Sequence, residues 1–210
     1  MRKWNRRHKS PGRSIQVRRM IPVSYTREQA VGMTAFCRKY LIVGPQGDPR
    51  GVEAVRLLLV VGLTPGAESR TRAAVAAQIN LKAMINTVGT RAASVFVNNQ
   101  TTDEPDMVVK PRLFIRVDSW LMNQLSYHAK DYRDGEGGIE DNRMVYEFTV
   151  RGLLDPNLHE VATIYSNLIY PMRARMIQLD EAIRESVRMV QREWIKSMGG
   201  QPMPATLQGD

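Results

Sequence analysis

The chain of 210 residues is 43% apolar (AVILMFWYC), which is enough to bury one sizeable core. Its single cysteine, Cys37, excludes an internal disulfide framework and favours a reducing compartment. The longest apolar run, near residues 57–63, is far shorter than the roughly twenty residues of a transmembrane helix, so we expect no membrane span. No apolar segment follows the basic N-terminus, so we expect no signal peptide.

Charge is distributed unevenly along the chain. The totals are 30 Lys+Arg and 21 Asp+Glu, a formal net charge of +9. Nine basic residues precede the first acidic residue, Glu28, so residues 1–27 carry the whole excess and residues 28–210 are neutral. A neutral body with a cationic arm favours a polyanionic partner.

The predicted elements follow from apolar spacing and from glycine and proline positions. Residues 1–27 are predicted to form a flexible arm, because Pro11-Gly12 and Pro22 interrupt any helix. Four helices are predicted: a short one capped by Thr26, residues 69–88, residues 118–132 capped by Asp118, and residues 172–198. Five strands are predicted: residues 40–43, 55–63, 92–97, 107–117 and 143–151.

This interleaved order predicts an α+β fold with a mixed strand and helix body. The body is expected to be one globular domain over residues 28–200, ending in the long C-terminal amphipathic helix. Residues 201–210, with two prolines, are expected to be a disordered tail. A modified jelly-roll β-sandwich is the alternative fold.

The arm is the candidate nucleic-acid interface. Cations that neutralise phosphates release condensed counterions, and an aromatic ring among them offers a surface for base stacking. We expect sequence-independent contacts with single-stranded RNA from Arg2, Lys3, Trp4, Arg6, Arg7, Lys9, Arg13, Arg18 and Arg19. A nuclear-import signal, a mitochondrial presequence and a solvated tail are the alternatives, and Pro11-Gly12 argues against the helix of a presequence.

The helix predicted over residues 172–198 carries an apolar stripe with charged residues on its other faces. The stripe either packs on the body's own core or forms a contact between subunits. The candidate interface residues are Met176, Ile183, Val187, Val190 and Trp194.

The remaining motifs give weaker signals. Residues 131–141 hold five carboxylates, but their spacing does not match an EF-hand. We favour a surface loop, and a Ca²⁺ site is the alternative. The glycine-rich residues 44–51 lack the Gly-Lys-Ser/Thr of a phosphate-binding P-loop. Cys37 beside Arg38-Lys39 is either a reactive thiol or, as we favour, a packed apolar side chain. No catalytic or metal-ligating spacing is recognised, so we expect no enzyme, no metal and no cofactor.

The basic arm and neutral body together resemble the coat proteins of small plant RNA viruses, with ourmiavirus-like coat proteins the nearest. The residues that carry the resemblance are Arg2-Lys3, Arg6-Arg7, Lys9, Arg13 and Arg18-Arg19. The resemblance implies a structural protein that self-assembles, packages RNA and resides in the virion and the host cytoplasm, with nuclear entry through the basic run. The helical body departs from the jelly roll of many such proteins. A viral matrix protein or nucleoprotein, an organellar ribosomal subunit, and an enzyme tethered to nucleic acid are the alternatives.

Overall fold

The computed structural model describes residues 19–44, 47–94, 108–133, 139–197 and 199. Its elements are, in chain order, β1 (Met20–Ser24), α1 (Arg27–Lys39), α2 (Gly51–Leu63), α3 (Ser69–Ser94), β2 (Arg112–Arg116), α4 (Ser119–His128), α5 (Asp141–Leu153) and α6 (Leu158–Ser197). The described part is mostly helical with one antiparallel sheet of two strands, so it is compatible with the α+β class but holds fewer strands than the five predicted. The jelly-roll alternative is wrong for the described residues, because a sandwich needs many more strands than this sheet holds.

α2 forms the centre of the core. Twelve of its 13 residues are buried, and it contacts α1, α3, α5 and β2. The strand predicted over residues 55–63 is therefore wrong. A continuous apolar run fits a fully buried strand and a fully buried helix equally well, because neither has a solvent face that sets a period.

The strand predicted over residues 143–151 is also helical. α5 buries Met144, Val145, Phe148, Thr149 and Gly152, which share one face of a helix. The alternation that indicated a strand included Tyr146 and Val150, and both are only half-buried. The helical period therefore describes the buried set better than the period of two.

α2 and α5 pack backbone against backbone where two glycines meet the opposite helix. A Cβ atom on Gly62 would overlap the carbonyl oxygen of Phe148, and one on Gly152 would overlap the carbonyl oxygen of Leu58. The helices can approach this closely only because both positions lack a side chain.

α3 and α6 pack side by side and run in the same direction. Near the start of α3, Ser69 Oγ donates to Glu160 Oε2 (2.8 Å), and three turns later Asn80 Nδ2 donates to the hydroxyl of Tyr165 (2.9 Å). α6 has 40 residues and is roughly 60 Å long. It begins at Leu158, before the predicted start at residue 172, and it continues through Pro171.

β1 belongs to the folded body although it lies within the predicted arm of residues 1–27. Ile21 and Val23 are buried, and they pair in register with Ile115 and Leu113 of β2. These two apolar side chains complete the core, so the body begins by Met20 rather than at residue 28. Residues 1–18, like the predicted tail 201–210, lie outside the described residues.

The predicted helix caps are confirmed. Thr26 and Gln29 form a capping box at the start of α1, with each side chain bonded to the other's backbone. Asp118 Oδ1 accepts from the backbone N–H of Leu121 at the start of α4. The helix predicted over residues 118–132 is α4 followed by a 3₁₀ turn, Ala129–Tyr132.

The other predicted strands are shortened or replaced. Residues 40–43 form a turn with one isolated bridge, between Val43 and Pro49. The strand predicted over residues 107–117 is reduced to β2, which keeps the predicted alternation of buried and exposed side chains. The segment 92–97 is helical as far as Ser94, and its last three residues lie outside the described part.

Candidate functional site

The exposed face of the two-stranded sheet combines cations with an aromatic ring. Arg112, Phe114 and Arg116 alternate with buried residues along β2, so all three side chains share this face. The guanidinium of Arg112 lies over the Phe114 ring, 5.3 Å from its centroid. Phe114 is 52% exposed, so its ring is available for stacking. We name Arg112, Phe114 and Arg116 the sheet face.

The arm joins the body at this sheet face. Of the nine residues predicted to bind RNA, Arg19 alone falls in the described part, where it is exposed. Its carbonyl oxygen accepts from the backbone N–H of Val117 (2.9 Å), and the next residue, Met20, pairs with Arg116. The other eight lie outside the described residues: Arg2, Lys3, Trp4, Arg6, Arg7, Lys9, Arg13 and Arg18.

A cavity of about 660 Å³ lies next to β2. It is formed by the start of α2, the middle of α3, β2 with residues 108–110 before it, and the part of α6 that follows Pro171. Its charged lining consists of Arg50, Arg56, Lys110, Arg116, Arg173, Asp48, Glu53 and Asp180. Apolar side chains, among them Met84, Val109 and Met176, form the remaining walls.

A buried polar network stands at the base of this cavity. The carboxylate of Glu53 is ion-paired with Arg173, and both side chains are almost fully buried. Tyr165 Oη donates to the same carboxylate (3.5 Å) and accepts from Asn80 Nδ2 (2.9 Å). Arg173 Nη1 also donates to the carbonyl oxygen of Leu41 (2.8 Å). This network ties α2, α3, α6 and the turn after α1 together.

Leu41 occupies the left-handed region of backbone conformation, with φ at 54°. A residue with a side chain adopts this conformation at an energetic cost. The hydrogen bond from Arg173 to its carbonyl oxygen therefore helps to hold the turn between α1 and α2.

Arg56 is a buried cation of the cavity, and its hydrogen bonds are long. The residue is 7% exposed, and its guanidinium donates to Asn80 Oδ1 (3.5 Å) and to the carbonyl oxygen of Arg116 (3.4 Å from both Nε and Nη2). These distances lie beyond the usual 2.7–3.2 Å of N–H···O bonds. Burial lowers the pKa of Arg56, an effect that the charge of Glu53 opposes and that of Arg116 reinforces.

The five residues predicted as an interface on α6 fall into three environments. Val187 is 8% exposed, so it is not part of a free surface. Met176, Ile183 and Trp194 are half-buried, and Met176 lines the cavity. Val190 is 52% exposed.

A more exposed apolar stripe runs along the neighbouring side of α6. Leu168, Met172, Leu179 and Val190 are between 43% and 52% exposed, and their spacing of 4, 7 and 11 places them on one face. We name these four residues the α6 stripe. The sequence prediction missed Leu168 and Leu179 as surface residues, because it began the helix at residue 172 and assigned the whole apolar pattern to a single stripe.

The remaining candidate residues are structural or only partly described. Cys37 is fully buried, so the interpretation as a packed side chain is confirmed. His159 Nδ1 shares a hydrogen bond with the hydroxyl of Tyr40 (2.9 Å). The described ranges hold no group of three or more His, Cys, Asp or Glu residues suited to a metal ion. Residues 134–138 of the acidic loop lie outside them.

Comparisons with known proteins give no relative. No protein-family model matches the chain, and no significant match is found among curated proteins or solved structures. Within the described helices, none is long and apolar enough to cross a membrane.

Proposed function

We propose that this chain is a structural coat protein that binds single-stranded RNA through its basic arm and assembles with copies of itself. The observation that carries the proposal is the charge of residues 1–27, nine basic residues without an acidic one, on a chain whose remaining residues are neutral. Such a segment gains affinity for a polyanion by releasing counterions and needs no base-specific contact.

The sheet face supports the RNA-binding half of the proposal. The arm leads into β1 beside Arg116, so an RNA strand held by the arm is brought to Arg116, Phe114 and Arg112. An exposed aromatic ring among arginines suits single strands, because every base has a face that can stack on it.

The α6 stripe supports the assembly half of the proposal. Its four apolar residues lie on a helix that carries charges of both signs, including the pairs Arg184–Asp180 and Lys196–Glu193. A face that is apolar along its centre and mixed in charge beside it suits contact with an identical face. A second copy of the chain is therefore the partner that we assign to it.

Fluorescence anisotropy with a labelled single-stranded RNA of about 20 nucleotides tests the RNA-binding half. If the eight cations of residues 1–19 each neutralise one phosphate, log K against log salt has a slope of roughly −6. Replacing Arg6, Arg7, Arg18 and Arg19 together by Ala is expected to reduce the magnitude of that slope by about 3, because four cations are lost. Phe114→Ala is expected to weaken binding by about 5-fold to 100-fold with an unchanged slope, since stacking does not depend on salt.

Two controls separate local effects from total charge and total aromatic content. Replacing Arg70, Lys82, Lys130 and Arg133, which are exposed, removes the same charge from the body. Tyr127→Ala removes a ring that is 73% exposed and lies on α4. If the body variant reduced affinity and slope as much as the arm variant, the arm would not be the RNA-binding element.

A further inference from the structure

The cavity next to β2 holds a buried cation whose hydrogen bonds are long. Arg56 is buried, it has no carboxylate within ion-pair distance in the described part of the chain, and its three hydrogen bonds are 3.4–3.5 Å long. Glu53, the nearest carboxylate on the same helix, is ion-paired with Arg173. A buried guanidinium is stabilised when an anion completes its hydrogen bonds.

Two further features place positive potential at the same wall. Arg116 lines the cavity from β2, and its charge acts on Arg56 across that wall. The start of α2 also faces the cavity through Gly51 and Val52, and its N-cap residue supplies no side-chain hydrogen bond to the first turn. The dipole of a helix N-terminus favours an anion nearby.

The cavity also has apolar walls and is large enough for an organic group. Met84, Val109 and Met176 line it, and its volume of about 660 Å³ falls within the range of small-molecule sites. Methionine side chains adapt to flat rings and make favourable sulfur–aromatic contacts. An anion with a flat apolar portion therefore fits this cavity better than phosphate alone.

We propose that this cavity binds one nucleoside monophosphate unit, with its phosphate between Arg56 and Arg116 and its base against Met84 and Met176. The choice of a nucleotide among phosphate esters rests on the proposed RNA-binding function, whereas the anion site rests on the cavity alone. Arg116 belongs to both the sheet face and the cavity, so the unit can be a free nucleotide or one nucleotide of a bound strand.

Isothermal titration calorimetry of the full chain with AMP tests the site, and inorganic phosphate is the comparison ligand. AMP is expected to bind with a Kd below about 1 mM and more tightly than phosphate, because the apolar wall contributes to its binding. Arg116→Gln is expected to weaken AMP by about tenfold or more, since it removes a charge-assisted hydrogen bond. Arg70→Gln is the matched control: it removes an exposed arginine on α3 that neither lines the cavity nor belongs to the sheet face, and it should leave AMP binding unchanged.

Arg56→Gln tests the buried cation directly, and its fold is checked by circular dichroism. If it does not fold, Met176→Trp fills the cavity instead and is expected to abolish AMP binding. The nucleotide site would be overturned if AMP did not bind at a concentration fivefold above about 1 mM. Equal binding of phosphate and AMP would also overturn it, as would equal effects of the two arginine variants.

Competition between RNA and AMP decides the source of the nucleotide. Binding of AMP to the cavity does not require the arm. An RNA of about 20 nucleotides that displaces AMP identifies a nucleotide of the strand as the ligand, whereas simultaneous binding identifies a free nucleotide. The variant lacking Arg6, Arg7, Arg18 and Arg19 should retain AMP binding. RNA binding through the arm without AMP binding would therefore reject the cavity site and leave the proposed function standing.

Discussion

Burial makes Cys37 an inert thiol, which can be tested directly because it is the only cysteine. Desolvation raises the pKa of Cys37 to about 12, and the nearby charge of Glu53 acts in the same direction. The thiolate is the reactive form, so at pH 8 the folded protein should react with a disulfide reagent roughly a thousandfold more slowly than the unfolded chain. Absorbance kinetics in buffer and in guanidinium measure both rates. Comparable rates would contradict the burial of this side chain.

Single residues could be predicted from the sequence where their role is local. Thr26 and Asp118 cap helices because a short oxygen-bearing side chain satisfies the first N–H groups within its own turn. Glu53 and Arg56 could not be assigned to a cavity, because a charged residue in a sequence is usually exposed and only the packing of α3 and α6 buries these two. The available signal was their position inside an otherwise apolar run.

At the scale of the elements, the contact between α2 and α5 depends on glycine. Gly62→Ala is expected to lower the free energy of unfolding by about 3 kcal/mol or more, since its Cβ would meet the backbone of α5 and neither helix can move without disturbing the core. Gly32→Ala is the control, because that glycine lies in α1 with open space around it. It should raise stability by about 0.5–1 kcal/mol. Urea unfolding measures both values, and similar stabilities for the two variants would disprove the close approach.

The sequence predicted the type of the amphipathic elements better than the type of the buried ones. α1 and α4 are amphipathic, so their apolar spacing and caps indicated helices correctly. α2 is buried on all sides, and the apolar residues of α5 fit both the period of two of a strand and the period of 3.6 of a helix. A strand and a helix were therefore equally compatible with each pattern. Their identity depends on the partners that surround them, which a local pattern does not contain.

For the whole molecule, the charge asymmetry could be predicted from the sequence, but the sheet face next to the basic arm could not. The arm's composition is a property of consecutive residues, whereas the sheet face depends on the pairing of β1 with a strand that lies about ninety residues later. The cavity likewise combines α2, α3, β2 and α6. Long-range pairing therefore decides where the basic arm meets the body.

The α6 stripe gives the prediction that tests assembly of the whole molecule. Leu179→Asp with Val190→Asp is expected to leave the chain folded, because both side chains are about half exposed, and to reduce any assembly to monomers, because two carboxylates would be buried in the contact. Leu154→Asp changes a residue that is 76% exposed outside the stripe and should leave the mass unchanged. Val187→Asp should instead lower the free energy of unfolding, since that side chain is buried.

Light scattering after nuclease treatment, over a range of protein concentration and salt, measures these masses without contributions from bound RNA. The coat-protein proposal requires assemblies of the unmodified chain that the stripe variant loses. A mass of 23.8 kDa for the unmodified chain under all conditions would contradict it. A monomer that still bound RNA through its arm would fit a ribosomal subunit, because such a protein contacts its RNA with a basic extension and has no need of a second copy.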